Sequence, residues 1–150
     1  MDLLLWRHAE AVDGIPDHTR ELTARGLKQA RRMARWLDEN RPKQLKVLVS
    51  PTLRTRQTAT AFTDEFEIVS SLGPDGNVPD ILAATGWPEG RGAALVVGHQ
   101  PALGRLCALL LSGTEADRTI KKGALWWSTN RVRENETQTV PRAVIPSELV

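Results

Sequence analysis

Three short apolar runs, each handing over to a polar turn, constrain this chain more than any other feature. Leu3-Leu4-Leu5-Trp6 runs into Arg7-His8, Val47-Leu48-Val49 into Ser50-Pro51-Thr52-Leu53-Arg54, and Ala94-Leu95-Val96-Val97 into Gly98-His99-Gln100-Pro101. Short unbroken apolar runs bounded by turn residues read as buried strands. A helical pattern follows the second and third directly and the first after a loop, so the order is β-α-β-α and the sheet is parallel, with helices on its faces. The expected fold is α/β, a three-layer α/β/α sandwich. In such sheets the ligand crevice lies beyond the carboxyl ends of the strands, and this brings Arg7, His8, Arg54 and His99 to one spot although they lie far apart in sequence.

The rest of the chain fits around that frame. Residues 8 to 21 form a loop broken by Gly14 and Pro16, after which Thr23 caps a helix running to about Asn40. Its Leu27, Ala30, Met33, Ala34 and Leu37 share one face, and Trp36 sits on the same apolar side, the pattern of a helix laid on a sheet. A second helix is expected over Pro51 to Phe62, with Pro51 in its first turn. A short strand over Glu67 to Leu72, a turn-rich loop at Gly73 to Asn77, a helix near Pro79 to Thr85 and a loop at Gly86 to Gly92 come next. Pro101 to Leu111 reads as a buried helix whose free amino-terminal N–H groups lie beside His99 and could face an anion. Ala124 to Thr129 and Thr137 to Ile145 alternate like strands around the polar break Asn130 to Glu136. They predict an antiparallel hairpin at the edge of an otherwise mostly parallel central sheet, with Trp126 and Trp127 on opposite faces. No repeat or linker divides the chain, so residues 1–150 are expected to form a single domain.

Composition narrows the function. The single cysteine, Cys107, sits in an apolar stretch and reads as a core thiol, so no disulfide framework exists and a reducing compartment fits. Met1-Asp2 offers no basic leader, and no stretch approaches the ~20 apolar residues of a membrane span. A soluble, cytoplasmic protein without a membrane partner is expected. The net charge of +2 hides an asymmetry: residues 20 to 56 hold eleven Lys or Arg against Glu21, Asp38 and Glu39, and the remainder is acidic. That region is either the solvated face of a helix or an attractor of an acidic or phosphorylated partner. Nucleic acid is disfavoured, because no aromatic residues interleave with the basic ones.

The converging residues suit phosphate chemistry. A neutral imidazole can attack phosphorus and split one hard displacement into two easier steps. Arg7 and Arg54 supply forked donors for the charge spread over the equatorial oxygens, and His99 adds another donor. Other phosphate chemistries lack their parts: there is no Walker-A spacing, Gly113 stands where a cysteine phosphatase built on Cys107 would need Arg, and no aspartyl-phosphate loop is present. Three scattered histidines make no ligand cluster, so neither metal nor organic cofactor is expected.

At these residues the chain resembles the histidine phosphatase superfamily, also called phosphoglycerate mutase-like. The family's Arg-His-Gly at the end of the first strand reads here Arg7-His8-Ala9-Glu10. The resemblance continues through Leu22-Thr23-Ala24-Arg25-Gly26-Leu27-Lys28-Gln29-Ala30, through Ser50-Pro51-Thr52-Leu53-Arg54-Thr55-Arg56-Gln57-Thr58-Ala59, and into Val97-Gly98-His99-Gln100-Pro101, about the first two thirds of the chain. It implies that His8 is the phosphorylated nucleophile and that Arg7, Arg54 and His99 form the phosphate pocket. The short length resembles the small bacterial phosphohistidine phosphatases of the SixA type, whose open site admits a phosphorylated side chain of another protein.

Two departures accompany the likeness. Ala9 replaces the family glycine, which would be strained if the backbone there required φ > 0. No clear motif supplies the acid that larger members use to protonate the leaving oxygen; Glu10, Asp75, Asp80 and Glu89 are the candidates, and each also reads as a surface or capping carboxylate. His18, in the loop near the site, either lines it or is simply exposed. The expected activity is removal of phosphate from phosphohistidine on a protein partner through a phosphohistidine enzyme intermediate. Two alternatives stand beside it: a small-molecule phosphomonoesterase of the same fold, and an inactive phosphate-binding module.

Overall fold

A computed structural model describes residues 1–150. Six strands form one sheet: β1 (Asp2–Arg7), β2 (Leu45–Val49), β3 (Glu67–Ile68), β4 (Ala93–Gly98), β5 (Leu125–Arg133) and β6 (Glu136–Ile145), in the order β3-β2-β4-β1-β5-β6. The first four in that order are parallel, and β5 and β6 run antiparallel at one edge. The expected mostly parallel sheet with an antiparallel carboxyl-terminal edge is the one observed.

Successive strand residues point to opposite faces, and the core divides accordingly. Leu4, Trp6, Val47, Val49, Leu95 and Val97 pack under α1 (Ala24–Asn40) and α2 (Leu53–Thr60). Leu3, Leu5, Leu48, Ala94 and Val96 pack under α3 (Val78–Thr85) and α4 (Ala102–Ser112). Every residue of β4 is buried, since this strand is central and covered on both sides. Trp127 joins the first cluster and Trp126 lies against the second, so the two indoles do face opposite ways. Cys107 is buried in the second, and burial pushes its thiol up to about 12.

The helix ends follow local chemistry. Thr23 caps α1 by accepting from the Gly26 N–H, and Asn77 and Asp80 form a reciprocal capping box on α3. Gly86 and Gly113 close α3 and α4 in the left-handed conformation.

Three expected boundaries move. The second helix begins at Leu53 rather than Pro51, because Thr52 is extended and Ser50 to Thr52 are drawn toward His99 by side-chain hydrogen bonds. The strand expected over Glu67 to Leu72 keeps only Glu67–Ile68 as strand, and Ser70–Leu72 turns as 3-10 helix so that Leu72 is buried. The polar break of the hairpin is itself strand: β5 and β6 pair to Arg133 and Glu136. The turn is Glu134-Asn135, both at positive φ (52° and 64°), the twist-matching two-residue hairpin turn. No helix is long and apolar enough to cross a membrane.

Candidate active site

Strand register assembles the site. Arg7 is level with Gly98, and Val49 with Val97, so the residues just past the ends of β1, β4 and β2 lie side by side. The pairing carries on into the turns: the His8 N–H donates to the Gly98 carbonyl and the Ser50 N–H to the Val97 carbonyl, each at 3.1 Å. The His8 and His99 rings stand 5.3 Å apart, tilted by 55°. Arg54, in the first turn of α2, places Nη2 3.5 Å from His99 Nδ1. Arg7 is half-buried and donates from Nη1 to the Ile120 carbonyl at 2.7 Å. The four residues expected to converge do so.

Hydrogen bonds select the tautomers. His8 Nδ1 lies 2.8 Å from the Ala9 carbonyl, an acceptor only, so Nδ1 carries the proton and Nε2 keeps its lone pair. Burial, aided by the charges of Arg54, Arg7 and Arg20 and opposed by the Ala9 bond, lowers the pKa of His8 to about 4. At His99, Nδ1 faces the donor Arg54 and Nε2 lies 2.7 Å from Ser50 Oγ, so Nε2–H donates to the hydroxyl. Burial, then His8 and Arg54, lowers its pKa to about 3. Both imidazoles are therefore neutral at neutral pH, set between two guanidinium groups. The Nε atoms of Arg7 and Arg54 are buried with no hydrogen-bond partner.

Ala9 carries no strain, because Glu134 and Asn135 alone among non-glycine residues have positive φ. It is fully buried, and its N–H donates to Thr58 Oγ1 at 3.1 Å, which ties the turn after β1 to α2. What the position requires is small size rather than a left-handed backbone.

The sequence reading did not single out Asp17 as part of this site. Its carboxylate lies 3.0 Å from Arg54 Nη2 and 3.1 Å from Arg20 Nη1, and its carbonyl accepts from Arg54 Nη1 at 2.9 Å. The bond from Arg20, then the one from Arg54, holds this carboxyl below the usual range, so it is ionised. Nothing in the local sequence marks it. Ser50 and Thr58 did carry a signal, as hydroxyls in otherwise buried segments.

The remaining candidates are dispersed. Glu10 is partly buried at the Arg7 side, where it accepts from Thr23 Oγ1 at 2.8 Å. His18 is exposed in the 3-10 turn Asp17–Thr19, the turn that Asp17 ties to Arg54. Asp80 is used by the capping box, Asp75 is exposed on its loop, and Glu89 is exposed in the loop entering the amino end of β4, away from the carboxyl ends of the strands. The amino end of α4 is also occupied: the Gly104 N–H bonds Gln100 Oε1 and the Leu103 N–H bonds the His99 carbonyl. These two amides are therefore taken, while the Ala102 N–H at the start of the helix has no hydrogen-bond partner.

Comparison with known proteins decides the family. Residues 3–74 match the model of the histidine phosphatase superfamily (branch 1). The phosphohistidine phosphatase SixA of Escherichia coli is 34% identical over 122 residues, covering 75% of this chain and 76% of that protein. This chain belongs to the histidine phosphatase superfamily. A second relative, an uncharacterized protein of Mycobacterium tuberculosis, is 35% identical over 119 residues and 73% of each chain. The solved structure of the protein histidine phosphatase SixA complexed with tungstate superposes with a TM-score of 0.79 at 29% identity, covering 99% of both chains. The superfamily together with the SixA relative and its solved structure makes the chain a phosphatase.

Proposed function

We propose that this phosphatase dephosphorylates phosphohistidine on a protein partner, with His8 as the nucleophile and Arg7, Arg54 and His99 as the phosphate pocket. One observation carries the reading: a neutral, buried His8 is held by the Ala9 carbonyl with its Nε2 lone pair free, between two guanidinium groups that each keep an unpartnered donor. In the first step Nε2 of His8 bonds to phosphorus as the P–N bond to the substrate imidazole breaks, and the departing nitrogen takes a proton from water. In the second, water attacks phospho-His8, inorganic phosphate leaves, and Nε2 recovers its lone pair. Arg7 and Arg54 hold the equatorial oxygens. His99 accepts from Arg54 Nη2 at Nδ1 and so holds that guanidinium in the pocket.

The substrate class follows from the leaving group. An alkoxide needs a proton from an acid, a contribution typically of ~10² to 10⁴, and the carboxyl bonded to Arg54, Asp17, is ionised. An imidazole leaves more readily, which favours an N–P substrate. We place the whole chain in one domain, and its lone buried thiol fits the reducing cytoplasm.

The test is a trapping experiment. Brief incubation with labelled phosphohistidine protein should give an acid-labile, alkali-stable phosphoenzyme in the parent and none in a folded His8→Ala variant. Retained turnover in His8→Ala removes the nucleophile assignment. Faster turnover of alkyl phosphates than of phosphohistidine replaces the substrate class.

A further inference from the structure

The amino-terminal half of α1 turns a row of cations toward the loop that precedes β5. Arg25, Lys28 and Arg32 are spaced i, i+3, i+7 and so share one helix face. Lys121 and Lys122 stand opposite, and Arg7 sits in the same groove, which encloses about 610 Å³. Arg7 is the one site residue that lines it, so the groove adjoins the site on the Arg7 side. Two carboxylates enter it, Glu148 paired with Lys121 at 3.0 Å and Glu10 bound to Thr23. Arg25, Lys28, Arg32 and Lys122 are exposed and form no ion pair. Uncompensated cations close together repel one another and are stabilised by an anionic counterpart.

The kind of counterpart follows from how the cations are held. A small polyanion needs a few fixed, partly buried donors. Here the free cations stand on long exposed side chains over roughly 10 Å of helix, at 1.5 Å per residue, an arrangement that suits carboxylates spread over a macromolecular surface.

We infer that this groove is the docking surface for an acidic face of the protein substrate, its carboxylates meeting Arg25, Lys28, Arg32 and Lys122 while the phosphohistidine enters beside Arg7. The inference rests on the proposed phosphohistidine activity and adds the chemistry of the partner around the reacting residue. It predicts selection by rate of encounter, screened by salt, rather than by the chemical step.

Two synthetic phosphohistidine peptides of one sequence test this, the first with glutamates flanking the phosphohistidine and the second with glutamines in their place. At low ionic strength the parent should turn over the glutamate peptide with a kcat/KM at least ~10-fold higher. The advantage should vanish in 0.5 M NaCl, and also in a folded Arg25→Gln/Lys28→Gln/Arg32→Gln variant that keeps the parent rate on the glutamine peptide. Equal rates of the parent on the two peptides, or an undiminished preference in the triple variant, overturn the docking surface and leave the phosphatase assignment standing. A triple variant that loses the two peptides alike makes these residues part of the pocket instead. If the parent turns over neither peptide, the substrate class fails, and the docking inference with it.

Discussion

Arg54 and Arg56 stand two positions apart on one helix with unlike surroundings. Arg54 is 4% exposed and aims at His99 and Asp17, whereas Arg56 is exposed on another face. Arg54→Ala is expected to lower kcat/KM by at least ~10²-fold, comparable to loss of one preorganised oxyanion donor. Arg56→Ala removes a solvated charge and should stay within about 0.5 kcal/mol of the parent, roughly twofold. Steady-state kinetics on one phosphohistidine substrate distinguish the two, and equal losses would refute the geometry. Residue type alone cannot separate this pair. Helical phase can, once one of the two is known to face the strand ends.

At the scale of elements, α1 carries a contact that its amphipathic pattern does not reveal. A Cβ on Gly26 would run into the backbone carbonyl of Glu10, two residues beyond His8, so the helix and the turn after β1 touch through bare backbone. Gly26→Ala has to push the helix away from that turn. The expected cost is about 1 to 3 kcal/mol, the range for overpacking a tight contact, together with reduced kcat/KM because the Ala9 carbonyl that holds His8 belongs to the displaced segment. Urea unfolding and kinetics on the same preparation check this, and a variant as stable and active as the parent would exclude the close approach. The hairpin shows the converse limit of pattern. Its outer half is exposed and polar, so no apolar alternation marks it; backbone pairing across the Glu134-Asn135 turn defines those strands.

Across the whole molecule, the neutral histidine pair links acid stability to the active site. The folded pKa values of His8 and His99, about 4 and about 3, lie below the ordinary 6.5. The unfolded chain therefore binds more protons as pH falls from about 6.5 toward 4, and stability must decline over that window. The slope approaches ~1.4 kcal/mol per pH unit for each histidine, so unfolding free energy should drop by on the order of 2 to 4 kcal/mol between pH 7 and pH 5. A His8→Gln/His99→Gln variant should lose most of that dependence. Asp17 and Glu148, whose carboxyls are held below the usual range, contribute only at lower pH. Denaturant midpoints across the pH series decide the matter, and an unchanged slope in the double variant would show that the burden lies elsewhere.

What the sequence determined by itself was the frame: three buried strands each ending in a polar turn, the amphipathic α1 with its Thr23 cap, and hence a parallel sheet whose strand ends gather Arg7, His8, Arg54 and His99. These follow from period and order, which are local properties of the chain. What only the tertiary structure decided depends on partners distant in sequence. Ser50 meets His99 across 49 positions and Asp17 meets Arg54 across 37. The freedom of Ala9 from strain, the capped amides of α4 and the cation groove between α1 and the loop before β5 are of the same kind. Each depends on distance and burial after packing, and a side chain's charge state and donor geometry are set by the neighbours that packing supplies.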